Sequence, residues 1–338
     1  METIEQLETV MSSPTQALIE DLEQLEGDIM ILGVGGKMGP TLAKLAKRAV
    51  EKGKASKTVY GVSRFSSAGL REELEANGIK TISADFLNES DLANLPDVKN
   101  VIYMAGTKFG TTGNEAFTWA MNTYLPGRVA DRFKNSRMVI FSTGNVYPFS
   151  EVMKTYADEQ TPVNPLGEYA QSCLGRERIA TYFSLQNQTP ILIIRLNYAI
   201  DLRYGVLHEI AKQVKSGLPI DLTMGHVNVI WQGDANSYAL RSLRHCQSPP
   251  QILNVTGPET VSIRWIAEVF GEEFGTSPVF INEEKPTALL ANASQSHKLF
   301  GYPNVTLREM ISWTAKWIDS EGESLDKPTH FQERKGAF

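Results

Sequence analysis

Residues 29–40 read Ile29-Met30-Ile31-Leu32-Gly33-Val34-Gly35-Gly36-Lys37-Met38-Gly39-Pro40. A short apolar run ends in a glycine turn. The turn opens a stretch in which Met38, Leu42, Leu45, Ala46 and Ala49 recur at helical spacing. Glycines at 33, 36 and 39 permit a tight reversal and let backbone N–H groups approach a ligand closely. The first turn of the helix adds partial positive charge at the same place. Strand, glycine turn and helix N-terminus in that order make a seat for the pyrophosphate of a dinucleotide.

Comparable runs recur along the chain at Asp28–Leu32, Thr58–Val62, Lys80–Ala84, Asn100–Met104, Arg137–Ser142, Ile191–Leu196 and Ile252–Val255. Helical stretches separate them. This alternation predicts an α/β fold with a doubly wound parallel sheet, a Rossmann fold, whose strands are buried on both faces. The dinucleotide-binding domain is expected over 27–200. Before it, 1–26 reads as a helical extension, with Ser13 as N-cap, Pro14 in the first turn and Gly27 as stop. Its Leu18, Ile19, Leu22 and Leu25 share a face. After about residue 200 the connections lengthen around Gly205, Gly217–Pro219 and Pro249–Pro250. A smaller substrate lobe is expected over 201–320, interleaved with the last strands, the one near 252–255 returning to the sheet. Thr306 and Glu309 form a capping-box pair ahead of Leu307, Met310, Ile311, Thr314, Trp317 and Ile318 at helical spacing. Residues 321–338 read as a polar, loosely ordered tail.

The 338 residues are 42% apolar and 21% charged, with a net charge of -6. That balance argues against a nucleic-acid surface. Two cysteines, Cys173 and Cys246, exclude a disulfide framework and fit a reducing cytoplasm. The acidic N-terminus lacks the order of a secretory leader. The apolar stretch 190–200 is too short to span a membrane and contains Arg195. The five histidines have no metal-ligand spacing. Ser142 and Ser172 have no neighbouring histidine that would suggest hydrolase chemistry.

Cofactor choice is read at the end of the second strand. An acidic residue there would bind ribose hydroxyls and repel a 2′-phosphate. Ser63 and Arg64 stand there instead, and Lys37 could add a second positive charge. NADP is therefore favoured over NAD, although an Arg64 that only stacks on adenine would suit either. Asp85 and Phe86, after the third strand, suit the adenine edge.

Several segments together resemble the extended short-chain dehydrogenases/reductases, the group of NAD-dependent sugar-nucleotide epimerases and dehydratases. Gly33, Gly36 and Gly39 match that family's G-x-x-G-x-x-G. The segment Tyr103-Met104-Ala105-Gly106-Thr107-Lys108-Phe109-Gly110 resembles the one after the family's fourth strand. That resemblance implies that Ala105, Gly106 and Lys108 face the cofactor, with Asn122 at the family's helix asparagine. Ile140-Phe141-Ser142-Thr143-Gly144-Asn145-Val146-Tyr147 is similar to the strand that delivers the catalytic Ser/Thr, here Thr143. Ile252-Leu253-Asn254-Val255-Thr256-Gly257-Pro258-Glu259 resembles a later strand and turn. A homodimer through two long helices, from about Asn114 and about Tyr169, is a further implication.

The family pairs a proton-transferring tyrosine with a lysine four residues on. Here Gly167-Glu168-Tyr169-Ala170-Gln171-Ser172-Cys173 keeps Tyr169 and places Cys173 at the lysine position. A thiol supplies no fixed positive charge, so Tyr169 stays nearer its ordinary pKa of about 10. Three readings follow. Lys108 or Arg176 substitutes as the cation. Tyr169 acts as a neutral acid or a mere hydrogen-bond donor. Or the protein binds a dinucleotide without turnover, as a sensor. Cys173 itself reads as a buried space-filler.

A second departure concerns the substrate. Val227 and Asn228 stand where nucleotide-sugar members carry an Arg-Asp pair that grips the diphosphate, while Asp234 is kept. His226 or Arg203 could compensate. A free sugar, sugar acid or similar small carbonyl compound fits better. The expectation is an NAD(P)-dependent oxidoreductase or epimerase acting at a hydroxyl/carbonyl centre of a carbohydrate-like molecule, against the alternative of a non-catalytic sensor.

Overall fold

A computed structural model describes residues 1–108 and 110–337. Seven strands form one sheet: β1 (Ile29–Leu32), β2 (Val59–Ser63), β3 (Lys80–Ser83), β4 (Asn100–Tyr103), β5 (Arg137–Thr143), β6 (Ile191–Leu196) and β7 (Gln251–Val255). Their spatial order is 7-6-5-4-1-2-3. All six pairings are parallel. This is the doubly wound order, and the chain reverses direction across the sheet between β1 and β4. A crevice opens beyond the carboxyl ends of those two strands.

Because side chains alternate across a strand, Ile29 and Ile31 face one helical layer while Met30 and Leu32 face the other. The first layer contains α2 (Gln16–Gln24) and α3 (Gly39–Lys52). The helices α4 (Leu70–Ala76) and α5 (Glu89–Ala93) make the next crossovers. On the second face lie α6 (Glu115–Trp119) and α7 (Leu125–Arg132), joined by a π-helical stretch Ala120–Tyr124, and α8 (Gly167–Asn187). The central strands β1 and β4 are buried throughout, and β5 and β6 are buried but for one end residue each. The edge strand β3 departs from expectation: Lys80 and Ser83 are exposed, because only one neighbour covers it.

Beyond β6 the chain forms the helices α9 (Val206–Lys215), α10 (Gln232–Arg241), α11 (Ile263–Phe274), α12 (Ser294–Phe300) and α13 (Leu307–Asp319). α9, α11 and α13 share a separate core with Ile210, Phe270 and Trp317. Thr306 caps α13 through the reciprocal bond with Glu309, a device worth about 1 kcal/mol. α10 packs instead against α2 and α3.

The N-terminal segment is two helices, not one. α1 (Ile4–Met11) precedes α2, whose N-cap is Thr15 in place of Ser13. The Thr15 hydroxyl reaches Leu18 N, whereas the Ser13 hydroxyl donates back to Thr9 O at the end of α1. Leu7 and Met11 join the core of the second lobe, and Leu18, Leu22 and Leu25 join the core beside the sheet. Glu8 links the two, meeting Lys44 of α3 at 2.6 Å and Arg203 at 3.4 Å.

The C-terminal segment is also tied down, contrary to its polar composition. Thr329 and Phe331 are buried. Arg334 donates to Thr287 O at 2.8 Å and sits over the Phe149 ring at 4.3 Å. The backbone at Gly336 packs against Gly167, the first residue of α8.

Candidate active site

The crevice between β1 and β4 consists of two adjoining cavities that share Gly36 and Met104. The first, about 210 Å³, is lined by Gly33, Gly35, Gly36, Ser63, Arg64, Asp85, Phe86, Ala105 and Gly106. Gly33 adopts φ +93°, and a Cβ there would sit 2.7 Å from Ala105 N. Any side chain would fill the cradle. Gly39 opens α3, where a Cβ would run into the Val34 carbonyl. It serves helix-to-strand packing and does not face the crevice. The shape and donor set fit an extended dinucleotide.

The second cavity, about 260 Å³, is lined by Lys37, Met38, Lys108, Thr143, Asn145, Tyr169, Asn197, Tyr198, Tyr204 and Thr329, among others. β5 delivers Thr143 at its carboxyl end and α8 delivers Tyr169 from its first turn. The two side chains face the same cavity, and the Thr143 hydroxyl favours the ionised phenol of Tyr169. The Thr143 hydroxyl also donates to Asn145 Oδ1 at 3.0 Å. Burial pushes the Tyr169 phenol far above its ordinary value, and Cys173 adds to the rise; Arg176 and Thr143 oppose it.

Cys173 lines neither cavity. It is fully buried among Val146, Tyr147 and Ala157 and packs against Tyr169. Burial raises its thiol, with Arg176, Tyr169 and Lys108 pulling the other way. A thiol held protonated is a poor nucleophile.

Two cations approach Tyr169. Lys108 Nζ lies 6.0 Å from the ring centroid and donates to Thr329 O at 3.4 Å. Burial brings its ammonium down to about 8, against the pull of Cys173 and Glu209. Arg176 lies deeper. It donates to Phe141 O at 2.7 Å, Asn122 O at 3.2 Å and Asn122 Oδ1 at 2.9 Å. Burial alone would lower it, but Cys173, Tyr103, Tyr169 and Glu177 outweigh that and keep it charged.

Two expectations are corrected. Asn122 does not reach the crevice. It is fully buried and braces the loop after β4, accepting from Thr107 N at 2.9 Å and donating to Thr107 O at 2.8 Å. Lys37 does not stand with Arg64. Its Nζ donates to Ala199 O at 3.0 Å and lies 4.1 Å from the Tyr204 ring centroid, in the second cavity. The carbonyl and the aromatic face draw the ammonium to that side. Burial lowers Lys37 to about 7; Asp201 opposes, whereas Lys108 and Arg203 reinforce. Phe109, quoted with the segment after β4, lies outside the described residues.

Neither proposed substitute for the diphosphate grip faces the cavities. Arg203 is held by Asp201 at 2.8 Å. His226 pairs with Ser262 in a short antiparallel ladder. Val227 is buried there, and Asn228 donates to Glu259 O at 3.0 Å. Sequence reasoning missed Asn145, Asn197, Tyr198, Tyr204 and Thr329. Only Tyr198, at φ +40°, is strained enough to mark its position, and that shows only in the folded chain.

Among the described residues, no group of three or more His, Cys, Asp or Glu could hold a metal ion. Among them, no helix is long and apolar enough to cross a membrane.

Residues 29–223 match the model of the NAD dependent epimerase/dehydratase family. No curated protein sequence matches the chain. Among solved structures, UDP-glucuronic acid 4-epimerase from Bacillus cereus, in complex with NAD, superposes with a TM-score of 0.71 at 20% identity, covering 87% of this chain and 99% of that one. UDP-glucose 4-epimerase from Thermotoga maritima gives 0.71 at 15% identity over 87% and 99%. An epimerase from Methanothermobacter thermautotrophicus gives 0.72 at 16% identity over 90% and 96%. At these identities the likeness is one of fold.

Proposed function

Because the chain belongs to the NAD-dependent epimerase/dehydratase family, we propose that it is an NAD(P)-dependent oxidoreductase or epimerase acting at a hydroxyl/carbonyl centre of a carbohydrate-like small molecule. One observation supports this reading: Thr143 and Tyr169 together line the cavity that adjoins the glycine cradle. The cofactor, when bound, accepts or returns a hydride. Gly33, Gly36, Ser63, Arg64, Asp85, Phe86, Ala105 and Gly106 would hold it. With Arg64 and no carboxylate at the end of β2, NADP is favoured, NAD being the form bound by the Bacillus cereus neighbour.

In the reducing direction, Tyr169 gives its phenolic proton to the substrate oxygen. Its raised pKa keeps that proton in place near neutral pH. Thr143 orients the same oxygen. Lys108 and Arg176 offset the negative charge that then develops on the phenol, a task the family leaves to the lysine that Cys173 replaces. In the oxidising direction the proton returns to Tyr169. Asn145 and Asn197 offer further hydrogen bonds to substrate hydroxyls. With Val227 and Asn228 engaged elsewhere, the arrangement favours a substrate without a nucleotide diphosphate.

A second reading, a dinucleotide sensor without turnover, is favoured by Cys173 standing four residues after Tyr169, where the family carries its lysine. Purified protein incubated with NADP or NAD and a panel of sugars and sugar acids separates the two. Net redox changes the reduced-nicotinamide absorbance, and epimerisation is read by NMR of the recovered sugar. Tight dinucleotide binding with neither change across the panel overturns the enzyme reading.

The exposed Phe117, Trp119, Tyr124, Tyr182 and Leu185 beside the groove between α6, α7 and α8 support a homodimer through those helices. Light scattering tests it, and a monomer at micromolar concentration would refute it.

A further inference from the structure

We infer that the cavity beside Tyr169 is an anion site, in which Lys37 and Lys108 hold the carboxylate of a small hydroxy or keto acid. The substrate class narrows from carbohydrate-like molecules in general to acids, a sugar acid being one. What happens to the acid once bound rests on the role given to Tyr169 above; its binding does not.

The two ammonium groups line one cavity with Asn145 and Asn197, and no carboxylate lines it among the described residues. The acid nearest Lys37 is Asp201, which is already gripped by Arg203 through Nε at 3.1 Å and Nη2 at 2.8 Å. Lys108, Arg203 and the Tyr204 ring are the other groups facing Lys37, and both cations repel it. Glu209 and Cys173 favour the charged form of Lys108 and Asp201 that of Lys37, yet burial still lowers both ammonium groups, and an anion between them offsets the remaining cost. Burial brings Lys37 down to about 7, so an arriving carboxylate captures a proton there as well as a partner.

The size of the ligand is set by the C-terminal segment. Thr329 bonds Glu209 through its N–H at 2.9 Å and its hydroxyl at 2.6 Å, which leaves its carbonyl toward Lys108. Phe331 is buried in the second lobe. Beyond this strap, the space among Tyr147, Leu166, His330 and Gly336 is only about 20 Å³. A monocarboxylate sugar or shorter hydroxy acid fits the main cavity of about 260 Å³.

The test uses malonate, a redox-inert dicarboxylate, titrated calorimetrically into the dinucleotide-loaded full chain at pH 8, in two buffers of different ionisation enthalpy. Saturable binding with net proton uptake is expected. Lys37→Gln should weaken malonate at least about tenfold, equivalent to about 1.4 kcal/mol, and reduce the uptake to the share that Lys108 supplies, while leaving dinucleotide affinity unchanged. Lys37→Arg, charged at every pH used, should retain malonate binding with proton uptake reduced to that same share, and a folded circular dichroism spectrum of either variant excludes simple loss of structure. Absence of saturable malonate binding overturns the proposal, as does unaltered binding in Lys37→Gln. Parallel loss of dinucleotide and malonate in Lys37→Gln also overturns it, because Lys37 would then be a pyrophosphate ligand. Malonate binds without turnover, so a protein inactive toward every sugar acid can still pass or fail.

Discussion

Glu177 holds Arg195 with both carboxylate oxygens, at 3.0 Å to Nε and 2.6 Å to Nη2, and each side chain is only 4% exposed. Ser142 donates to the same carboxylate at 2.6 Å, and Arg195 lies 4.7 Å from the Tyr147 ring centroid. The cluster fixes α8 against β5 and β6, and thereby sets Tyr169 against Thr143. Glu177→Leu leaves a buried guanidinium unpaired and should cost roughly 3–5 kcal/mol. The double variant Glu177→Leu/Arg195→Met should recover much of that loss. Denaturant unfolding measures both, and equal stability of the single and double variants would deny the pairing its role.

Tyr169 and its buried neighbour divide cleanly. Tyr169→Phe removes the transferable proton and should lower kcat roughly 10²–10⁴-fold, the usual range for a lost general acid, with dinucleotide affinity intact. Cys173→Ala should cost about 1–2 kcal/mol of stability and leave turnover near that of the native chain. Equal losses of turnover in the two variants would make the thiol a participant.

Lys37 should carry a stability penalty with a definite pH window. Its unfolded pKa is about 10.4 and its folded value about 7. Below pH 7 both states are protonated and the penalty is full. Between 7 and 10 the unfolded chain binds a proton that the folded chain does not, so stability rises with pH. Lys37→Met should therefore be more stable than the native chain at pH 6–7, with the gain fading toward pH 10. Lys108, lowered to about 8, supplies a residual slope of the same sign. A gain independent of pH would show that packing, and not charge, is responsible.

Phe331 anchors the segment that closes the second cavity. Phe331→Ala removes a buried ring and should cost roughly 3–5 kcal/mol. The released strap should raise KM for small acids more than it lowers kcat. Unchanged stability would mean that the segment is not a fixed wall of the site.

The glycine turn, six of the seven parallel strands as buried runs, and the capped helix α13 were legible because each is written locally, in turn residues, β-branched runs and cap spacing. The placement of Thr143 and Tyr169 was legible through the motifs around them. The direction of Lys37 was not, because a turn sequence does not fix where a four-carbon side chain swings. Tyr198, Tyr204 and Thr329 reach the cavity from segments far from the glycine turn and carry no local pattern. The role of the last residues was hidden by their polar composition, within which one aromatic, Phe331, decides that they pack.

Arg176 fills the space behind the crevice so completely that a Cβ on Gly106 would meet its Nη2 at 2.6 Å and Asn122 Oδ1 at 2.9 Å. Cys173, Arg176, Asn122 and Gly106 are therefore one mutually dependent set. Restoring a lysine at 173 alone would place a third buried cation beside Arg176 and Lys108, so the step back toward the ordinary family arrangement is uphill unless Arg176 changes with it. The cysteine is thus held against lysine by its neighbours, because the charge balance of this buried region belongs to the quartet and not to position 173 alone.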